Sequence, residues 1–124
     1  MHLARLIRCL ALLLPVALSG AVIAQEQPPT ATLLFFLNPN GEPCRIQSQI
    51  LDGIRPQLDA RVRVVPVSTA VFSDTIWFRQ FGIRYLPSLI LVDGEQREIK
   101  RFPPGIQPAE QILKEIGALG DKRS

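Results

Sequence analysis

Two cysteines and one histidine are the only soft or readily titrating side chains this sequence offers for covalent or metal chemistry. His2 and Cys9 lie in the first ten residues, so Cys44 is the only such group in the remainder of the chain. Cys44 follows a run of turn formers, Asn38-Pro39-Asn40-Gly41-Glu42-Pro43, that joins the apolar stretch Leu33–Leu37 to a helical pattern. A thiol in that place can exchange with disulfides, and a lone one forms a mixed disulfide with no internal partner to resolve it. With no histidine beyond position 2, Ser-His and Cys-His catalysis, histidine metal ligation and a histidine pH switch are all closed to the body of the chain. No metal and no cofactor is expected.

The first 24 residues read as a secretory signal. His2, Arg5 and Arg8 make a basic start, Cys9 to Ala24 is uncharged, and small residues precede polar Gln25-Glu26-Gln27. Cleavage is expected after Ala24, with export to the periplasm or beyond. The uncharged run falls short of the ~20 residues a spanning helix needs, so no membrane span is expected after cleavage. Residues 25–31 have linker composition, leaving 32–120 as one small domain. Taking Arg5 and Arg8 from 14 Lys+Arg leaves 12 against 11 Asp+Glu, so the net charge falls from +3 to +1. The remaining basic pairs, Lys100-Arg101 and Lys122-Arg123, form no block, and no nucleic-acid partner is expected. An unpaired cysteine in an exported chain points to intermolecular pairing or a reactive thiol.

The elements that must position Cys44 follow from periodicity. Thr32–Leu37 is a continuous apolar run, as in a strand covered on both faces. From Pro43 the spacing turns helical, with Ile46, Ile50, Leu51, Ile54 and Leu58 on one face and Pro56 expected to kink or end the helix. Arg61–Ser68 is a β-branched strand whose Pro66 suits only an edge or a strand end. Ser73–Phe81 reads as a short helix carrying Ile76, Trp77 and Phe81, capped by Ser73 or Asp74 and ended by Gly82. Trp77 and Phe78 read as packing residues more readily than as a binding surface. Ser88–Val92 is a buried strand, Asp93-Gly94 signals a hairpin, and Arg97–Phe102 is a more polar edge strand. A last helix from Pro108 carries Ile112, Leu113, Ile116 and Leu119, with Gly120 as its stop. The order is β-α-β-α-β-β-α, an α/β mixed sheet with helices on both faces.

That order, with the Pro43-Cys44 loop and the segment Gly82-Ile83-Arg84-Tyr85-Leu86-Pro87-Ser88, resembles the minimal thioredoxin fold over residues 31–119. Asp93-Gly94-Glu95 matches the family's hairpin. The resemblance aligns Cys44 with the second, resolving cysteine of the family's two-cysteine motif. Gly41 stands where the nucleophilic cysteine would be, Asn40 in place of the tryptophan before it, and Glu42 in place of a small residue. Phe35 stands where many members bury a carboxylate. Each departure falls on the chemistry, so negligible insulin reduction is expected.

The resemblance also implies a cis bond at Pro87 and a peptide-binding role for Leu86, whose backbone would pair with an extended segment beside Gly41, Glu42 and Pro43. Two readings of Cys44 follow. In one it is an inert buried residue. In the other the bare Gly41 opens a path to the sulfur, and Cys44 forms a mixed disulfide with glutathione, a protein partner or a second copy. Arg45 beside it is a solvated first-turn side chain or a contact for the glutathione carboxylate. Two functions stay open: thiol–disulfide chemistry through Cys44 alone, or a non-redox groove that holds an extended peptide or envelope partner.

Overall fold

A computed structural model describes Gly20 and residues 31–58 and 61–121. The rest of the signal segment and most of the linker lie outside the described residues. β1 (Ala31–Leu37), α1 (Glu42–Leu58), β2 (Val62–Ser68), α2 (Thr75–Gln80), β3 (Ser88–Val92), β4 (Glu98–Arg101) and α3 (Ala109–Asp121) follow in the expected order, with a 3-10 turn at Phe72–Asp74 before α2. The sheet runs β2-β1-β3-β4, parallel between β1 and β2 and antiparallel elsewhere.

The alternation of side chains along β1 divides the core in two. Leu33 and Phe35, with Leu89 and Leu91 across the antiparallel pair, meet Leu51, Ile54 and Leu58 of α1 and Ile112 and Ile116 of α3. Leu34 and Phe36, with Ile90 and Val92, meet α2 through Trp77 and Phe78, and Phe81 just beyond it. Both faces are therefore dry, which is why β1 and β3 read as unbroken apolar runs. Each such side chain removed from water contributes about 1.5–3 kcal/mol, so the two inner strands fix the sheet and carry the loops at its ends. Phe36 stands edge-on to Phe78 at 5.2 Å and to Phe81 at 5.9 Å, and Trp77 stacks on Phe81 at 6.2 Å. Trp77 and Phe78 are packing residues.

Several local expectations need correction. The buried face of α1 is Cys44, Gln47, Leu51, Ile54 and Leu58, while Ile46 is exposed. Pro56 sits within the last turn, and the helix ends two residues after it at Leu58, as expected. Pro66 lies on an edge strand, where its missing N–H costs no ladder bond. Neither Ser73 nor Asp74 caps α2: the Asp74 carboxylate turns back to accept from the Ser68 amide at 2.9 Å. Gly82 does end that helix, at φ 61°. Ile76 is exposed, since Trp77, Phe78 and Phe81 take the face of α2 that meets the sheet. Gly120 does not stop α3, which continues to Asp121.

The β3–β4 hairpin is real, but its left-handed position is Gln96 (φ 64°), not Gly94. The Gln96 amide donates to the Asp93 carbonyl and the Asp93 amide to the Arg97 carbonyl, a turn followed by one left-handed residue. The Asp93 carboxylate accepts from the Glu95 and Arg97 amides at 2.8 and 2.9 Å and from Arg97 Nε at 2.9 Å. The Arg97 amide is the largest cause holding this carboxyl below its ordinary 3.8, with the Glu95 amide and the guanidinium adding to it against some desolvation. A carboxyl lowered by folding stabilises the fold above its unfolded value, and that contribution is lost as pH falls through the folded value. Asp93→Asn should therefore lower the denaturation midpoint at neutral pH, with the gap to the native chain closing on the acid side of 3.8. A gap independent of pH would show that charge is not what Asp93 supplies.

Candidate functional site

β1 ends in a turn that the following helix completes. The Gly41 amide donates to the Asn38 carbonyl at 2.9 Å, the Asn40 amide to Asn38 Oδ1 at 3.0 Å, and the Arg45 amide to the Gly41 carbonyl at 3.1 Å. This turn delivers Cys44 into the first turn of α1 with its side chain facing inward, 2% exposed and unpaired. Its Sγ accepts a hydrogen bond from the Asn38 amide at 3.4 Å. A Cβ at Gly41 would lie 3.7 Å from that sulfur and 3.4 Å from the Asn38 carbonyl oxygen, ordinary contact distances. Position 41 thus lies next to the sulfur on the loop side, beside the Asn38 amide, and it carries no side chain. Glu42 and Pro43 are exposed, and Glu42 pairs with Arg45. Arg45 is accordingly a solvated side chain already facing an acid.

The second loop reaches the same end of the sheet by register. Phe36 pairs with Ser88, so Leu37-Asn38 and Leu86-Pro87 leave the sheet side by side. The Leu86–Pro87 peptide bond is cis. Pro87 is buried, its carbonyl accepts from the Gly105 amide at 2.9 Å, and the Ser88 hydroxyl donates to the Tyr85 carbonyl at 2.6 Å. No described residue bonds the backbone amide or carbonyl of Leu86. Among the sequence-predicted residues, the fold thus gathers Gly41, Glu42, Pro43 and Cys44 at one end of the sheet with Leu86 and Pro87.

The loop holding Gly105 is itself fixed to α1. Gln47, fully buried, accepts from the Gln107 amide at 2.6 Å and donates to the Gln107 carbonyl at 3.1 Å, while Gln107 Nε2 donates to the Pro103 carbonyl at 2.8 Å. One glutamine side chain therefore ties the Cys44 helix to the loop that backs Pro87. A second feature the sequence reading missed is apolar. Val71, Phe72 and Ile76 are 45%, 94% and 64% exposed, and Tyr85 is 68% exposed. The Thr69 amide donates to the Leu37 carbonyl, which puts the β2–α2 connection beside the Cys44 turn. Val71 and Phe72 lie on that connection, Ile76 on the helix after it, and Tyr85 on the Pro87 loop itself. The signal was present: residues 76, 77, 78 and 81 are more apolar positions than one face of a six-residue helix can bury.

Among the described residues no group of three or more His, Cys, Asp or Glu side chains is placed to hold a metal ion, and no helix is long and apolar enough to cross a membrane.

No family model matches the sequence. The chain is 35% identical over 76 residues to a thioredoxin of Synechocystis sp., a match covering 61% of this chain and 66% of that protein. It thus spans just under two-thirds of that relative's length. Among solved structures it superposes on malaria-parasite thioredoxin-2, a component of that parasite's protein secretion machinery, with a TM-score of 0.64 and 19% identity, covering 72% of this chain and 82% of that one. Chloroplastic thioredoxin z gives 0.62 and 23%, covering 74% and 80%. A Thermus thermophilus thioredoxin gives 0.60 and 21%, covering 73% of each. The sheet order, the helix layering and these likenesses agree: the chain belongs to the proteins with a thioredoxin-like fold.

Proposed function

We propose that this chain takes part in thiol–disulfide chemistry through Cys44 as a single thiol. A cysteine already held in a disulfide on an extended partner segment, or oxidised glutathione, forms a mixed disulfide with it by exchange, and no internal dithiol cycle follows. The observation that supports this reading is the placement of Sγ behind Gly41, which carries no side chain, so that a Cβ there would lie 3.7 Å from the sulfur with the Asn38 carbonyl and Cβ as its other neighbours. The step is an exchange: the Cys44 thiolate attacks one sulfur of the incoming disulfide, one S–S bond forms as another breaks, and the displaced thiolate takes up the proton that Cys44 gave. No net oxidant is needed. Access to a sulfur this covered comes from opening of the Asn38–Pro43 turn, a surface segment held by a few backbone bonds. The unpaired Leu86 backbone offers the partner a strand-like contact, and Val71, Phe72 and Ile76 offer apolar surface next to it. The basic start and the apolar run before Ala24 support export, with cleavage there and residence in the periplasm.

The burial of Cys44 favours a second reading, a non-redox groove in which the same loops hold an extended segment and the thiol is a packing atom. One experiment separates them. The native chain, folded and without denaturant, is incubated with oxidised glutathione and analysed by mass spectrometry, with Cys44→Ser as the control. The redox reading expects a single glutathione adduct that free thiol reverses. Labelling of Cys44 only after denaturation would overturn it, and undiminished partner binding by Cys44→Ser would then identify the groove.

A further inference from the structure

On the α2 side of the Pro87 loop a cavity of about 200 Å³ lies against Gly82–Tyr85, Ser88 and the end of β4. Its walls are Ile83, Ile90 and Phe102, with Tyr85, Arg84 and Arg101 at its polar edge. The volume falls below the roughly 300–1,000 Å³ of sites that enclose a whole small molecule, so it suits one side chain. Arg101 is occupied: its guanidinium meets Glu98 at 2.7 and 2.9 Å and the Phe81 carbonyl at 2.8 Å. Arg84 has no hydrogen-bond or charge partner among the described residues, and no acidic side chain lines the cavity. The site therefore carries one uncompensated positive charge beside apolar walls, where a carboxylate is attracted more strongly than in open water.

We infer that this cavity receives an acidic side chain of an extended partner segment and sets which segments the Leu86 loop accepts. The inference rests on the peptide-groove part of the proposed function. Ile90 belongs to the α2 face of the sheet and Cys44 to α1 on the other, so Leu86-Pro87 lies between thiol and cavity. Along an extended segment successive side chains point to opposite sides. A residue turned toward Cys44 thus has a neighbour turned toward Arg84. The methylenes of a glutamate would lie on Ile83 and Pro104, and its carboxylate would meet Arg84, with the Tyr85 hydroxyl as a second donor.

The test uses the native chain under reducing conditions and short labelled, cysteine-free peptides of extended composition with amidated ends. A glutamate is moved along them one position at a time, with matched glutamine and lysine versions, and binding is read by fluorescence anisotropy. At one position glutamate should bind about tenfold tighter than glutamine, and the difference should shrink at about 0.5 M salt. Arg84→Gln, an exposed change, should erase the difference with the fold intact by circular dichroism, and Arg84→Glu should favour lysine instead. Peptides that bind with no preference between glutamate and glutamine would overturn the cavity assignment and leave the groove standing. Binding by none of them would remove both. A glutamine peptide with a free C-terminus that matches the glutamate peptide would give the site to a chain end and overturn the side-chain assignment.

Discussion

Gly41→Cys should reduce insulin about 10²-fold or more faster than the native chain, for which negligible turnover is expected. The backbone already accepts the change: position 41 has no left-handed φ, and a Cβ there meets only the Asn38 carbonyl at 3.4 Å and Cys44 Sγ at 3.7 Å. The 3.7 Å from that Cβ to Cys44 Sγ leaves room for one bonded sulfur between them, so torsional adjustment of the two side chains brings the sulfurs into bonding range. The new thiol would also stand immediately before α1 begins at Glu42, where the free N–H groups and the helix dipole stabilise a thiolate. It would attack the insulin disulfide, and Cys44 would then displace the reduced chain by closing a 41–44 disulfide, with added free thiol restoring the dithiol. From a mixed disulfide on Cys44 alone, release would depend on a second molecule of thiol. An internal thiol acts at a far higher effective concentration, so escape from the mixed disulfide should rise about 10²-fold or more. The measurement is insulin reduction with limiting free thiol, checked by the loss of two hydrogens on oxidation of the variant. A folded Gly41→Cys chain with no gain over the native one would show that the loop does not present the two positions as a pair.

The site was legible wherever one residue type has one local use. Pro43-Cys44 after an apolar run, and Leu86-Pro87 before another, mark the two loops, and strand pairing brings them together. Legibility failed where identity and position disagree. The inward face of α1 follows 44, 47, 51, 54, 58, a regular alternation of three and four. A reading that counts apolar side chains prefers Ile46 to Gln47, because a glutamine belongs outside unless something beyond the helix meets its amide. That something is the Gln107 backbone, 60 residues away. Phe72 fell outside the helical pattern read over Ser73–Phe81, and it lies 94% exposed on a 3-10 turn. Asp93-Gly94 marked the hairpin but not its geometry, since glycine is the usual left-handed residue. The Asp93 carboxylate instead binds the next amides and moves that conformation to Gln96.

Gln47 is also where a single change should cost the fold most for its size. Gln47→Ala removes the partner of both the amide and the carbonyl of Gln107, two backbone groups joined to it in the interior. Each buried group left unmet costs about 1–3 kcal/mol, so the variant should lose about 3 kcal/mol. That is a large fraction of the roughly 5–15 kcal/mol that holds a domain of this kind together. Leucine should do little better, since it fills the space without restoring either bond. The loss would reach the site along a defined route. Gln107 anchors the loop whose Gly105 amide donates to the Pro87 carbonyl, so hydrogen exchange at Gly105 should accelerate in Gln47→Ala more than at Leu89 or Ile90 in the sheet. Urea denaturation supplies the magnitude, and Gln49→Ala, an exposed change two residues along α1, should stay within about 0.5 kcal/mol of the native chain. If Gln47→Ala proves as stable as Gln49→Ala, water replaces the lost amide, and the Cys44 helix and the Pro87 loop are held in place by apolar packing alone.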